Sequence, residues 1–112
     1  MQIQVQAGNR VGGGGALIAT VTGMVETSLD RFSGHVTRVE VHMSDENGSK
    51  GGRDKRCVLE ARMEGRKPVA VVDNAETMKQ AVQGALDKLV RMLDSTVGRM
   101  QEHRRDEAPE AS

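Results

Sequence analysis

Residues 73–105, DNAETMKQAVQGALDKLVRMLDSTVGRMQEHRR, decide how the rest of the chain is read. Met78, Val82, Ala85, Leu89, Leu93, Val97 and Met100 recur at steps of three or four, which is one apolar stripe of a long α-helix. Asp73 followed by Glu76 has the spacing of a capping box, and Pro109 is the first proline to interrupt. Lys79, Gln83, Asp87, Arg91 and Asp94 make the opposite face polar, so the helix must cover an apolar surface supplied from upstream.

That surface is predicted to be a sheet. Gln2 to Ala7 alternates glutamine with Ile3, Val5 and Ala7, the pattern of a strand with one buried face. Gly12 to Gly15 follow as an expected mobile turn, because each glycine costs a helix roughly 1 kcal/mol against alanine. From Ala16 to Phe32 the residues Leu17, Val21, Met24, Val25, Leu29 and Phe32 keep a helical period. Val36 to Ser44 alternates again, with Val39, Val41 and Met43 opposite Arg38, Glu40 and His42. Asp45 to Asp54 reads as a long hairpin loop, rich in Gly, Asn, Asp and Ser. A third strand sets Cys57, Leu59, Ala61 and Met63 against Arg56, Val58, Glu60 and Arg62. After a turn at Glu64 to Lys67, Pro68 opens a fourth strand over Val69 to Val72.

The order β-α-β-β-β-α predicts an α/β (α+β) two-layer sandwich, with a four-stranded, mostly antiparallel sheet and two helices on one face. Residues 1–105 are read as one domain and 106–112 as a disordered acidic tail. The open sheet face would show Gln2, Gln4, Arg38, Glu40, His42, Arg56, Glu60 and Arg62.

Charge narrows the function. Sixteen Lys+Arg balance sixteen Asp+Glu, which argues against a generic nucleic-acid binder. The balance hides a basic segment, because residues 47–67 hold seven bases and three acids. Lys50, Arg53, Lys55, Arg56, Arg66 and Lys67 would crown the ends of the sheet and could meet phosphates, or could simply be solvated loop charges. With Phe32 as the single aromatic residue, base stacking is a poor mode of recognition, so backbone and shape are favoured.

Catalytic and metal signals are thin. His35, His42 and His103 are far apart in sequence, and strand alternation turns His42 outward and Cys57 inward, so a Cys/His site is disfavoured. The glycine cluster lies between a strand and a helix but has no following Lys-Ser/Thr and no G-x-G-x-x-G spacing. We therefore expect no enzyme, no cofactor and no small-molecule substrate. One cysteine, no signal-peptide pattern and no apolar run long enough to span a bilayer are read as a cytoplasmic chain without a membrane partner.

Four blocks carry a family resemblance: MQIQVQAGN at residues 1–9, RFSGHVTRVEVHMSDEN at 31–47, DKRCVLEARMEGRKPVAV at 54–71 and ALDKLVRMLDS at 85–95. Together they resemble the short form of the ribosome hibernation-promoting factor family, also known as ribosome-associated inhibitor or sigma-54 modulation proteins. The resemblance implies the same β-α-β-β-β-α fold and binding to ribosomal RNA of the small ribosomal subunit, in the channel of messenger and transfer RNA, during stationary phase or stress. Lys88 and Arg91 match the helix motif D-K-L-x-R and are implied RNA contacts, as are the basic loop residues; Lys79, where the chain departs from better-known short members, is expected as a further contact. Ribosome pairing would need a separate modulation factor. The alternative is a module of the same fold bound to another structured RNA or a protein.

Overall fold

The computed structural model describes residues 1–8, 11–46 and 54–107, with the side chains of the last helix as far as Gln101. The strands are β1 (Gln2–Ala7), β2 (Val36–Asp45), β3 (Lys55–Met63) and β4 (Val69–Ala75), and the helices are α1 (Gly14–Leu29) and α2 (Met78–Glu107). The sheet order is β1-β2-β3-β4. β1 runs parallel to β2 across the α1 crossover, and the two later pairs are antiparallel.

Period-2 patterning puts one face of every strand under the helices. Val39, Val41, Cys57, Leu59 and Ala61 are fully buried there against Val21, Val25 and Leu29 of α1 and Val82, Leu86, Leu89 and Leu93 of α2. α1 lies over β1, and α2 lies over β3 and β4. The opposite face is built as predicted from Gln2, Gln4, Arg38, Glu40, His42, Arg56, Glu60 and Arg62. In the register Arg38 stands opposite both Gln2 and Arg62, and Glu40 opposite Gln4 and Glu60.

Several boundaries differ from the sequence reading. β4 continues to Ala75, which pairs with Lys55 and is buried, so Asp73 is a strand residue and not a helix cap. The cap is Thr77, whose hydroxyl accepts from the Gln80 N–H at 3.1 Å. Thr77→Ala should accordingly lower stability by about 1 kcal/mol, measurable as a shift of the urea midpoint at constant slope.

α1 starts at Gly14, two residues before the expected Ala16. Gly13 has φ 93°, a left-handed conformation that only glycine adopts without strain, and its carbonyl accepts from the Leu17 N–H at 3.2 Å. α1 then tightens into a single 3-10 turn over Asp30–Phe32. At the other end of the chain α2 reaches Glu107, beyond the expected domain limit at 105, and residues 108–112 of the expected tail lie outside the described residues.

Candidate nucleic-acid interface

The long basic hairpin and the short basic turn emerge at opposite ends of β3. The hairpin is closed by the Glu46 N–H on the Asp54 carbonyl at 2.9 Å, with Lys50 and Arg53 outside the described residues. At the other end the Arg66 N–H meets the Met63 carbonyl at 3.2 Å across a turn in which Gly65 takes φ 74°. A strand rises about 3.3 Å per residue, so the eight steps of β3 put Lys55 and Arg56 roughly 25 Å from Arg66 and Lys67. Sequence reasoning put these residues in one segment, and the fold divides them.

α2 connects the two groups. It leaves the sheet beside the Lys55 end, because Ala75 pairs with Lys55, and runs back along β4 toward the turn. Lys79 therefore shares an end with Lys55 and Arg56. Arg91 lies twelve residues further, about 18 Å along the axis at 1.5 Å per residue, in the direction of Arg66 and Lys67.

The cations are not equivalent. Lys55 lies 3.0 Å from Asp45 and is three-quarters buried, so much of its charge is spent inside the hairpin. Lys88 donates to the Val72 carbonyl at 2.8 Å and to Asp73 at 3.0 Å, which ties α2 to β4. Gly84 makes room for this contact: a Cβ there would come within 1.9 Å of the Asp73 carboxylate. Arg56, Arg66, Lys67, Lys79 and Arg91 are exposed and have no carboxylate partner among the described residues. Exposed and unpaired, these five can approach a phosphate with little to give up.

The open sheet face is a weaker candidate. Arg62 pairs with Glu60 at 3.1 Å, and Glu40 stands 3.6 Å from Arg38 and 3.9 Å from Arg62. Arg38 also donates to Gln4. Its arginines are largely neutralised within the sheet. Arg31 is likewise engaged, in a two-point contact with Asp94 and 4.2 Å above the Phe32 ring. The hydrogen bond from Arg31 holds the Asp94 carboxyl below the usual carboxylate range.

Arg99 was missed from the sequence. It is exposed, and Lys88, Ser95 and Arg99 fall at helical spacing on the flank of α2 nearest β4. The Arg99 guanidinium donates to Ser95 at 3.1 Å and has no carboxylate partner among the described residues. The 3.6-residue period that placed Arg91 on the polar face was the signal that could have found it.

Among the described residues no group of three or more His, Cys, Asp and Glu is placed to hold a metal ion. Cys57 is fully buried, while His42 is exposed on the opposite face. No described helix is long and apolar enough to cross a membrane.

The fold and surface define a small α/β domain that carries unpaired cations on a turn, a hairpin end and one helix, an arrangement suited to a polyanion. The chain belongs to the family described as sigma 54 modulation protein / S30EA ribosomal protein, whose sequence model matches residues 16–101. The family is one of ribosome-associated modulation proteins. The match begins at α1 and leaves β1 outside.

Among solved structures the chain is similar to the N-terminal domain of Protein Y from Thermus thermophilus, at 19% identity and TM-score 0.68 over 86% of this chain and 99% of that one. It is equally similar in fold to a ribosomal subunit interface protein from Coxiella burnetii, at 17% identity and TM-score 0.68 over 88% and 99%. No curated protein sequence matches the chain.

Proposed function

We propose that this protein binds the small ribosomal subunit in the channel used by messenger and transfer RNA, and so holds ribosomes inactive during stationary phase or stress. The observation that carries the reading is the set of unpaired cations, Arg56, Arg66, Lys67, Lys79 and Arg91, on a domain of a ribosome-associated family. The two fold relatives, a Protein Y domain and a ribosomal subunit interface protein, point the same way. Recognition runs through phosphates, since the one aromatic side chain, Phe32, is buried and offers no face to a base. A small domain in the decoding channel acts by occupancy, and any pairing of ribosomes falls to a separate modulation factor.

Co-sedimentation with small subunits at low and physiological salt tests this directly. Saturable binding near one copy per subunit, competed by transfer RNA, is the expected result. A protein that stays at the top of the gradient in both salts would sink the proposal.

The contact residues have their own test. Arg66→Glu with Lys67→Glu should weaken binding about tenfold or more and flatten the dependence of log affinity on log salt by roughly one to two. Arg91→Glu should do the same to a smaller degree. Lys88→Glu should chiefly lower the melting temperature, because it sets a carboxylate against Asp73 and the Val72 carbonyl. An unchanged salt slope in the turn variant would remove Arg66 and Lys67 from the interface.

One observation favours the alternative, a module of this fold bound to another structured RNA or protein. α1 contains no lysine or arginine, and Glu26 is its only charged residue. A pull-down from stationary cells that recovers no ribosomal protein would select it.

A further inference from the structure

The sheet has two edges, and the molecule treats them differently. β4 is guarded: Pro68 precedes it, Asp73 places a charge on it, and Lys88 occupies the Val72 carbonyl at 2.8 Å. Proline, charge and a covering side chain are the devices by which proteins keep an edge strand from pairing with another chain. β1, at the other edge, shows none of them among the described residues. Residues 1–8 carry no charged side chain and no proline, and the ladder with β2 runs from Gln2 to Ala7 without an irregularity.

The layer above β1 is also incompletely covered. Ile3 and Val5 face the helices but are only half-buried, whereas Val39 and Val41, their partners on β2, are fully buried. Met1 at 40% and Ile18 at 36% exposure border the same side, beside an open groove lined by Met1, Ile3, Thr22, Glu26, Asp30 and Ser33.

We propose that β1 pairs antiparallel with β1 of a second copy of this chain, about a two-fold axis at Gln4, to give a continuous eight-stranded sheet. Self-complementarity selects this occupant. A two-fold contact sets each strand against its own reverse, so a charged side chain on the strand would meet its like; β1 has none, and Arg38, which reaches Gln4 from β2, is paired with Glu40. Both sets of helices stay on one side of the joined sheet only if the two facing residue numbers have an even sum, because a one-residue slip inverts every side chain. Centred on Gln4, the register matches Gln2 with Gln6 and Ile3 with Val5, amide to amide on the open face and aliphatic to aliphatic under the helices.

The axis also separates the acids. Glu26 and Asp30 sit with Met1 at one end of the groove, and the two-fold turns that end toward the partner's Ala7 and the uncharged start of its α1. α2 lies over β3 and β4, away from the joint, so both copies keep their basic helix outward. A joint of one strand and a shallow groove is small against the roughly 800 Å² per partner of a standard interface, so association is expected in the range of tens to hundreds of micromolar.

Sedimentation equilibrium of the full chain from about 10 µM to 1 mM tests this, alongside Gln4→Lys and Gln4→Glu. The wild type should move from one to two chains in mass, and each variant, folded by circular dichroism, should remain a monomer because like charges face each other on the axis. An equimolar mixture of the two variants should dimerise again, since lysine then faces glutamate. A wild type that stays monomeric throughout, a dimer that both charges leave intact, or a mixture that fails to recover would overturn the proposal.

Discussion

Leu59→Ala should lower stability by about 3 kcal/mol, and with it the melting temperature by roughly 12–20 °C for a domain of this size. Leu59 is fully buried at the middle of β3, between Val41 and Val71 in the register, on the face that α2 covers. Truncation removes the transfer free energy of three carbons and leaves a cavity that strands pinned on both sides cannot collapse to fill. Val72→Ala provides the control on the same sheet. Val72 is 38% exposed on the opposite face, so its loss should cost well under 1 kcal/mol, though it takes part in the same kind of ladder. Thermal melts of the two variants measure the difference between the faces. Equal effects would contradict a sheet with one buried and one open side.

Strand parity was legible because it depends only on a period of two. Cys57, Leu59, Ala61 and Met63 had to share a face whatever the rest of the fold did, and the alternation through β2 fixed the same face for Val39, Val41 and Met43. The helix starts were less legible because two local signals competed. Asp73 with Glu76 imitates a cap, but β4 gains three more ladder positions and buries Ala75 by continuing, and Thr77 then caps α2. At α1, glycine propensity argued for a turn through Gly15. Burial of Val21, Val25 and Leu29 holds the helix in place, and a left-handed Gly13 lets it begin at Gly14.

The basic residues show a different limit. Sequence gives their number but not their commitments. Lys88 looks like Arg91 on a helical wheel, yet it is tied to Val72 and Asp73, which required the approach of β4 to Gly84. That approach is a tertiary fact, with a glycine inside an otherwise ordinary helix as its only sequence trace. Arg66 and Lys67 were placed correctly beside a turn, but their distance from Lys55 and Arg56 follows from the full length of β3.

Cys57 supplies the other large effect, an alkaline loss of stability. Its thiol is pushed up to about 12, first by burial and then by the charge of Asp73, its neighbour on β4. Unfolding exposes the thiol, which then titrates near 9. Between those two values the unfolded chain has lost a proton that the native chain keeps, so the unfolded state binds fewer protons and stability falls as pH rises. The slope approaches about 1.4 kcal/mol per pH unit, and the full loss is about 4 kcal/mol by pH 12. Cys57→Ala removes the titrating group and gives up a small part of the core. Its stability should start lower at pH 8 and fall less steeply above pH 9, so that the two urea-denaturation profiles converge and then cross. Wild type and variant running parallel from pH 8 to 11 would mean that the thiolate is accommodated in the folded protein. A second arm separates that case from a trivial one: a thiol reagent at pH 8 should label Cys57 only as fast as the chain opens, and the rate should rise on adding urea.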